Sequence, residues 1–278
     1  MSLMDAAYQL DPALWIDDYK LIQDKSGRPV ELDEVQREIL RSGHKRIIIN
    51  CHRQWGKSSL ASALCFHRAL YYPKSLCLLV SPSLRQSSEN FRKILDALDC
   101  FDPRPRLDED TRLTLKLENG SRIISLPGSQ KTVRGFSAPD LIFIDEAAQA
   151  ADELFDALLP MMAGNPRGRI IQASTPWGKR GSFYKTWVGE SPGWHRVQVR
   201  AQDNLRLSPA FLEEMRAELG NFKYRQEFGC EFLELESAFF SGVEVESIFS
   251  SAIQPLWGGR TTAPLSGVLK PLWSEGIL

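Results

Sequence analysis

The most constraining feature of this chain is an apolar run that leads through a short loop into a helical pattern. The run Arg46–Asn50 is followed by the loop Cys51-His-Arg-Gln-Trp-Gly-Lys-Ser-Ser59 and by the helical sequence Leu60–Ala69. Strand, loop and helix in this order are the layout of a phosphate-binding P-loop, in which backbone N–H groups and the helix N-terminus hold phosphate oxygens. In such a loop Lys57 reaches the β and γ phosphates, and the Ser58 hydroxyl is placed for Mg²⁺.

The loop departs from the usual P-loop pattern at its first position. Cys51 stands where a glycine belongs, and that glycine normally provides a backbone conformation that other residues avoid. We therefore expect the start of this loop to be held differently from that of a standard P-loop. Taken alone, Gly-Lys-Ser after a strand also fits an exposed turn with a solvated Lys57, so a second signal is needed.

The second signal is Asp140-Leu-Ile-Phe-Ile-Asp-Glu146. Its apolar centre predicts a buried parallel strand, and Asp145 and Glu146 fall at the carboxyl end, where open α/β sheets place their ligands. Asp145 is expected to hold Mg²⁺, directly or through water, and Glu146 to polarise an attacking water. The alternative is that the acidic pair caps a helix formed by Ala147–Ala151.

Strand-like and helix-like patterns alternate along most of the chain. Strands are predicted at Lys45–Asn50, Ser75–Ser81, Arg122–Leu126, Leu141–Asp145, Arg169–Ser174 and His195–Arg200. Helices are predicted at Ser58–Tyr71, Ser83–Leu98, Glu153–Met162 and Pro209–Leu219. This alternation predicts an α/β fold of the P-loop NTPase type, with a mainly parallel central sheet flanked by helices.

Two segments depart from this alternation. Leu113–Ser125 alternates apolar and polar residues around Asn119-Gly120, which predicts a β-hairpin inserted before the acidic strand. Beyond Glu236 the pattern gives way to Gly, Pro, Ser and single aromatic residues. We therefore predict one ATPase domain over residues 1–235, with lid-like elements towards its C-terminal part, and a short irregular tail or truncated linker over residues 236–278.

Composition excludes several other classes of protein. No run approaches the roughly 20 apolar residues of a membrane span, and the N-terminus is not a secretion signal. The five cysteines and four histidines form no cluster, which argues against a zinc site or a disulfide framework and predicts a reducing cytoplasm. A net charge of −1 provides no overall attraction for nucleic acid, although it permits a local basic groove.

Two further motifs carry possible chemistry. Ser174-Thr-Pro176 follows another buried strand, and small hydroxyl residues there can contact the γ-phosphate or its water; the alternative is an ordinary turn. Gln36 lies in the amphipathic segment Leu32–Leu40, and its amide can pair with an adenine edge as donor and acceptor together. The alternative for Gln36 is a solvated residue on a helix.

In this order, these four motifs resemble the ATPase domain of the phage terminase large subunit. The motifs are the Gln36 helix, Arg53–Ser58, Ile144–Ala147 and Ser174–Pro176. Supporting similarity lies in Ser81–Gln86, Val133–Gly135, Gly181–Tyr184 and Tyr224–Phe228, so that the resemblance spans residues 30 to 235. Members of that family commonly lack the first P-loop glycine and carry an arginine inside the loop, which accommodates Cys51.

The resemblance implies an ATP-driven motor that packages double-stranded viral DNA into a preformed capsid. Its implied cofactors are ATP and Mg²⁺. Its implied partners are double-stranded DNA, a small terminase subunit, a portal ring and other copies of the chain in a ring, and its implied location is the host cytoplasm.

The resemblance also implies a role for each matching residue. The implied nucleotide-binding residues are Gln36, Arg53, Gln54, Gly56, Lys57, Ser58 and Ser59. Ser58 and Asp145 would hold Mg²⁺, Glu146 would act on water, and Ser174 and Thr175 would couple hydrolysis to movement. Arg53 and Arg134 are the two candidates for the arginine that stabilises charge on the transferring phosphoryl group, an effect of about 10³–10⁵ in rate. For Arg134 a surface charge is the alternative.

One large difference from that family concerns the nuclease. Full-length terminase subunits continue into an RNase H-like nuclease, whose carboxylates hold two metal ions. Here no Asp follows Asp203, so nuclease activity is not expected from this chain. Two other interpretations stay open at this point: a helicase or repair-type P-loop ATPase, which would need a second motor domain, and a catalytically silent nucleotide-binding remnant of a truncated prophage terminase.

Overall fold

An eight-stranded sheet runs through residues 3–128, 133–189 and 193–234, the part of the chain that this computed structural model describes. Its strands are β1 (Arg46–Cys51), β2 (Leu76–Ser81), β3 (Leu107–Asp110), β4 (Thr114–Leu117), β5 (Arg122–Pro127), β6 (Leu141–Asp145), β7 (Arg169–Ser174) and β8 (His195–Val199). They lie in the order β3-β4-β5-β2-β6-β7-β1-β8. The strands from β5 to β8 in this order pair in parallel, whereas β3, β4 and β5 pair antiparallel. The predicted fold class is confirmed.

Helices connect these strands. They are α1 (Leu3–Leu10), α2 (Pro12–Tyr19), α3 (Glu34–Arg41), α4 (Lys57–Tyr71), α5 (Leu84–Cys100), α6 (Asp152–Met161), α7 (Gly181–Val188) and α8 (Pro209–Glu227). The helix α8 continues beyond its predicted end at Leu219, across a kink at Gly220, whose φ is 71° and ψ is 162°. A glycine tolerates this conformation without a steric penalty, and the break divides α8 into two helical pieces.

The predicted β-hairpin is confirmed as β4 and β5. Its turn contains Gly120, which has a φ of 84° and donates its N–H to the carbonyl of Leu117 at 2.9 Å. The sequence pattern missed β3, the outer strand beside this hairpin. Leu107–Asp110 is short and carries three consecutive acidic residues, so its strand conformation comes from pairing with β4 and not from an apolar pattern.

The parallel strands are buried on both faces because alternate side chains enter two different cores. Ile47 and Ile49 of β1 pack with Trp15 and Phe66 on the face covered by the first five helices. Ile48 of the same strand enters the opposite core. A strand covered on both faces must be apolar throughout, which is why these runs were recognisable in the sequence.

The C-terminal tail lies outside the described residues. The domain boundary near residue 235 therefore stays a prediction. Among the residues that the structure describes, no helix has the length and apolar character needed to cross a membrane.

Candidate nucleotide-binding site

The candidate site lies where the carboxyl ends of the parallel strands meet. β1 ends at Cys51, the loop follows, and α4 begins at Lys57 after Gly56. The left-handed positions of this loop are Gln54, with a φ of 63°, and Gly56, with a φ of 100°. Cys51 is an extended strand residue and is fully buried. The first position of this loop therefore needs no glycine, because the unusual backbone conformations occur further along.

Lys57 and Glu146 form an ion pair at the centre of the site. Lys57 Nζ lies 2.8 Å from Glu146 Oε1, and 10% and 21% of the two side chains are exposed. Burial disfavours the charge of Lys57, but Cys51, Asp145 and Glu146 act in the opposite direction and hold its pKa above the ordinary value. Burial raises the pKa of Cys51 to about 12, so this thiol is neutral at pH 7. The two carboxylates therefore supply the negative charge that keeps Lys57 protonated.

Asp145 accepts hydrogen bonds from two different helices. Ser58 Oγ at the start of α4 donates to Asp145 Oδ2 at 2.8 Å. Asn90 Nδ2 on α5 donates to the same oxygen at 2.8 Å and also lies 2.9 Å from Ser81 Oγ at the end of β2. Asp145 is 4% exposed. The carboxylate is thus fixed in position by buried donors on both sides.

Glu146 has a backbone conformation that is uncommon for a residue with a side chain. Its φ is 51° and its ψ is 42°, in the left-handed region where a non-glycine residue is strained. Its N–H donates to Asp145 Oδ1 at 3.1 Å, and Ser174 Oγ lies 3.5 Å from its Oε2. Thr175 is buried beside Ser174. This conformation directs the Glu146 carboxylate to Lys57 and the end of β7.

A cavity of about 370 Å³ adjoins the loop. Four of the predicted nucleotide-binding residues line it: Gln36, Gln54, Gly56 and Ser59. Trp55 is 1% exposed and donates its indole N–H to Asp33 Oδ2 at 2.6 Å. Arg206, from the loop before α8, also borders the cavity. Its shape and position make it a candidate pocket for the base of a nucleotide, next to the residues that face the phosphates.

Neither predicted arginine lies with Lys57 and Glu146. Arg53 has a 65% exposed side chain, 4.0 Å from Glu227 Oε2 at the end of α8. Its N–H donates to the Glu227 carbonyl at 2.8 Å, which joins the loop to α8. Arg134 lies on an exposed turn, and the described contacts do not bring it to Lys57 or Glu146. The structure thus assembles the other predicted residues and leaves both arginines at the surface.

Three polar residues at the site carried no signal in the sequence. Asn90 and Arg206 are described above, and the third is Lys93, one turn after Asn90 on α5. Burial lowers the pKa of Lys93, and the charge of Asp145 opposes this effect. All three belong to segments without a recognisable motif, so only the folded chain brings them to the P-loop.

The donor set at Ser58 and Asp145 fits Mg²⁺. Their oxygens lie 2.8 Å apart, close to the roughly 2.9 Å between neighbouring ligands of an octahedron with bonds of about 2.0–2.1 Å. Among the described residues no group of three His, Cys, Asp or Glu side chains could hold a metal ion. Mg²⁺ does not require such a group, because it is usually bound by one or two protein oxygens together with phosphates and water.

The mainly parallel sheet, the loop before α4 and the acidic pair after β6 define the P-loop NTPase class of α/β proteins. Residues 48–247 match the family described as terminase large subunit, T4likevirus-type, N-terminal. The match covers most of the chain, and the chain belongs to this family. The resemblance found in the four sequence motifs is confirmed.

Individual relatives and solved structures agree with this assignment. The large terminase subunit of Escherichia phage T5 is 24% identical over 204 residues, which are 71% of this chain and 46% of that protein. The Thermus phage P74-26 large terminase ATPase domain superposes with a TM-score of 0.62 at 21% identity, covering 73% of this chain and 94% of that domain. The large terminase of another thermophilic bacteriophage, in complex with ADP, has a TM-score of 0.57 at 13% identity, covering 81% of this chain and 53% of that one. The chain spans about half the length of the curated relatives it matches.

Proposed function

We propose that this chain is the ATPase part of a DNA-packaging motor, hydrolysing ATP with Mg²⁺ to move double-stranded viral DNA. The observation that carries this proposal is the contact of Lys57 and Ser58 with Glu146 and Asp145 at one edge of the sheet. Support also comes from the family, since the second thermophilic-phage terminase has been solved in complex with ADP and with ATP-γ-S. The family membership favours this function over a helicase or repair ATPase.

The Lys57–Glu146 pair describes the site before nucleotide enters. A triphosphate offers Lys57 several anionic oxygens, so binding exchanges the partner of Lys57 from Glu146 to the phosphates. Glu146 is then free to accept a hydrogen bond from the water that attacks the γ-phosphorus. As the new P–O bond forms, the bond to the β-phosphate oxygen breaks and ADP leaves with that oxygen. Ser174 and Thr175, beside Glu146, would transmit this change to the following segment.

Ser58 and Asp145 would hold the metal, and Gln36, Gln54, Gly56 and Ser59 would enclose the base and the adjoining phosphates. Mg²⁺, when bound, neutralises charge on the β and γ phosphates. Asn90 keeps the Asp145 carboxylate in position by donating to it at 2.8 Å. This arrangement assigns metal binding, water activation and nucleotide binding to separate groups of residues.

Arg53 and Arg134 remain the candidates for stabilising the transferring phosphoryl group. Arg53 could turn into its own site, because its side chain is 65% exposed and its ion pair with Glu227 is long, at 4.0 Å. The exposed Arg134 suits a charge supplied to the site of a neighbouring copy, as arginines do in trans in related chemistry. A homo-oligomeric ring, with DNA, a small terminase subunit and a portal as partners in the host cytoplasm, would provide that neighbour.

Mg²⁺-dependent ATP hydrolysis with and without double-stranded DNA tests this function. We expect Glu146→Gln to lose turnover by about 10²–10⁴ and still to bind ATP, because Lys57 is released from its ion pair. Glu153→Gln, which changes an exposed carboxylate on α6, is the matched control and should behave as wild type. Wild-type turnover by Glu146→Gln would contradict the assignment of Glu146. ATP binding without turnover in the wild-type chain, even with DNA present, would favour the silent-remnant interpretation.

A further inference from the structure

The hydrogen-bonding capacity of the Gln36 amide is almost fully used by the protein itself. Gln36 Oε1 accepts from the Asp33 N–H at 3.0 Å and from Arg206 Nη2 at 3.2 Å. Gln36 Nε2 donates to the Trp55 carbonyl at 3.1 Å. An amide oxygen has two lone pairs and an amide nitrogen has two hydrogens. Gln36 therefore keeps one free N–H and no free acceptor.

The first of these acceptor contacts is part of the start of α3. Asp33 and Gln36 form a reciprocal capping box, in which the Asp33 side chain accepts from the Gln36 N–H at 2.8 Å. This contact satisfies backbone groups that the helix itself cannot pair. It is consequently a constant feature of the fold, and the second acceptor contact, from Arg206, decides whether Gln36 can accept from a ligand.

Arg206 is held in place by a second, charged contact. The same Nη2 lies 2.7 Å from Asp33 Oδ2, the oxygen that also accepts from the Trp55 indole. Hydrogen bonds between ionised groups are stronger and more directional than neutral ones. Although the Arg206 side chain is 38% exposed, its end is fixed over the amide of Gln36. Gln36 and Arg206 line the same 370 Å³ cavity beside the P-loop.

We propose that Arg206 sets the base selectivity of the nucleotide site by occupying the acceptor of Gln36. This inference rests on the proposed function. With Arg206 in place, Gln36 and Arg206 present only N–H donors to the cavity. Both purines offer an acceptor at N7, whereas the 6-amino group of adenine is a donor and guanine has an acceptor at position 6. The site therefore recognises purine nucleoside triphosphates as a class and does not read the 6-amino group through Gln36.

Competition for a bound fluorescent ADP analogue tests this proposal on the wild-type chain. Purine riboside triphosphate, which lacks the 6-amino group, should compete within about threefold of ATP, because the loss of a weak or absent hydrogen bond has little effect. GTP should compete within about tenfold of ATP, and 7-deaza-ATP should be about tenfold weaker through loss of its N7 acceptor. Purine riboside triphosphate more than tenfold weaker than ATP would overturn the proposal.

Arg206→Met provides the converse test, because it removes the guanidinium and frees Gln36 Oε1. The variant should prefer ATP over both purine riboside triphosphate and GTP by about tenfold more than wild type, since an acceptor then faces the 6-position. Arg200→Met is the matched control, as Arg200 is exposed and contacts Gln198. Thermal unfolding checks that the variant is folded, and the wild-type analogue series decides alone if it is not. An unchanged preference in folded Arg206→Met refutes this inference only, whereas failure of wild type to bind the ADP analogue refutes the proposed function as well.

Discussion

The phosphate end and the base end of the nucleotide site are constructed in different ways. At the phosphate end, Lys57 and Ser58 follow one strand, Asp145 and Glu146 end another, and the two pairs contact each other at 2.8 Å. At the base end, Gln36 on α3, Trp55 in the loop and Arg206 before α8 meet from separate parts of the chain. The comparison teaches that the chemistry depends on two short segments, whereas the selectivity of the pocket depends on how distant segments pack.

The largest effect is expected at the phosphate end. Lys57→Ala should lower ATP turnover by about 10³ or more and weaken nucleotide binding, because it removes the buried cation that faces the phosphates. ATPase assays and nucleotide titrations measure both losses. Lys223→Ala, on the exposed part of α8, is the matched control. Retention of turnover in Lys57→Ala would mean that the loop does not act on phosphates.

Asn90→Ala tests whether the phosphate end depends on a residue outside both motifs. Removing the amide leaves Asp145 with one side-chain donor fewer, and loss of such a supporting contact typically costs about 10–100-fold in metal affinity or activity. The Mg²⁺ concentration for half-maximal turnover should rise, while nucleotide binding without metal stays the same. A titration of activity with Mg²⁺ checks this expectation. Asn221→Ala, at an exposed position of α8, should change neither quantity.

Trp55→Phe should affect the base end more than the phosphate end. The change keeps an aromatic ring in a buried position but removes the N–H that donates to Asp33 at 2.6 Å. We expect the free energy of unfolding to fall by about 1–2 kcal/mol and KM for ATP to rise with little change in kcat. Urea unfolding and steady-state kinetics measure these quantities, with the 40% exposed Trp177 changed to Phe as control. A loss of kcat with unchanged KM would show that the two ends are not separable.

His67 provides a test of the fold away from both ends of the site. It lies on α4, with Nε2 donating to the Tyr8 carbonyl at 2.8 Å, and burial lowers its pKa from 6.5 to about 4. Between these values the unfolded chain binds more protons than the folded one, so its contribution is complete above pH 6.5 and is lost as the pH falls towards 4. The loss is on the order of 3 kcal/mol. Urea unfolding from pH 7 to pH 4 should show it, and His67→Gln should reduce that pH dependence.

Much of the fold could be predicted because its signals are local. A parallel strand covered on both faces is a continuous apolar run, as in Leu141–Asp145, and such runs gave six of the strands within about one residue. The Asn119-Gly120 turn likewise predicted its hairpin. The strand Leu107–Asp110 had no apolar pattern, and its conformation depends on hydrogen bonds to a neighbour that the pattern does not reveal.

The sequence by itself determined the P-loop, the acidic pair and the sheet that carries them, because each follows from the backbone preferences and burial of consecutive residues. Only the tertiary structure placed Asn90 on Asp145 and Arg206 on Gln36. Gln36 and Arg206 are 170 positions apart, and no periodicity connects residues at such a distance. Their contact depends on the packing of α3 against the P-loop and on the path of the chain before α8. A hydrogen bond requires two groups within about 3 Å, and that distance is decided by the fold.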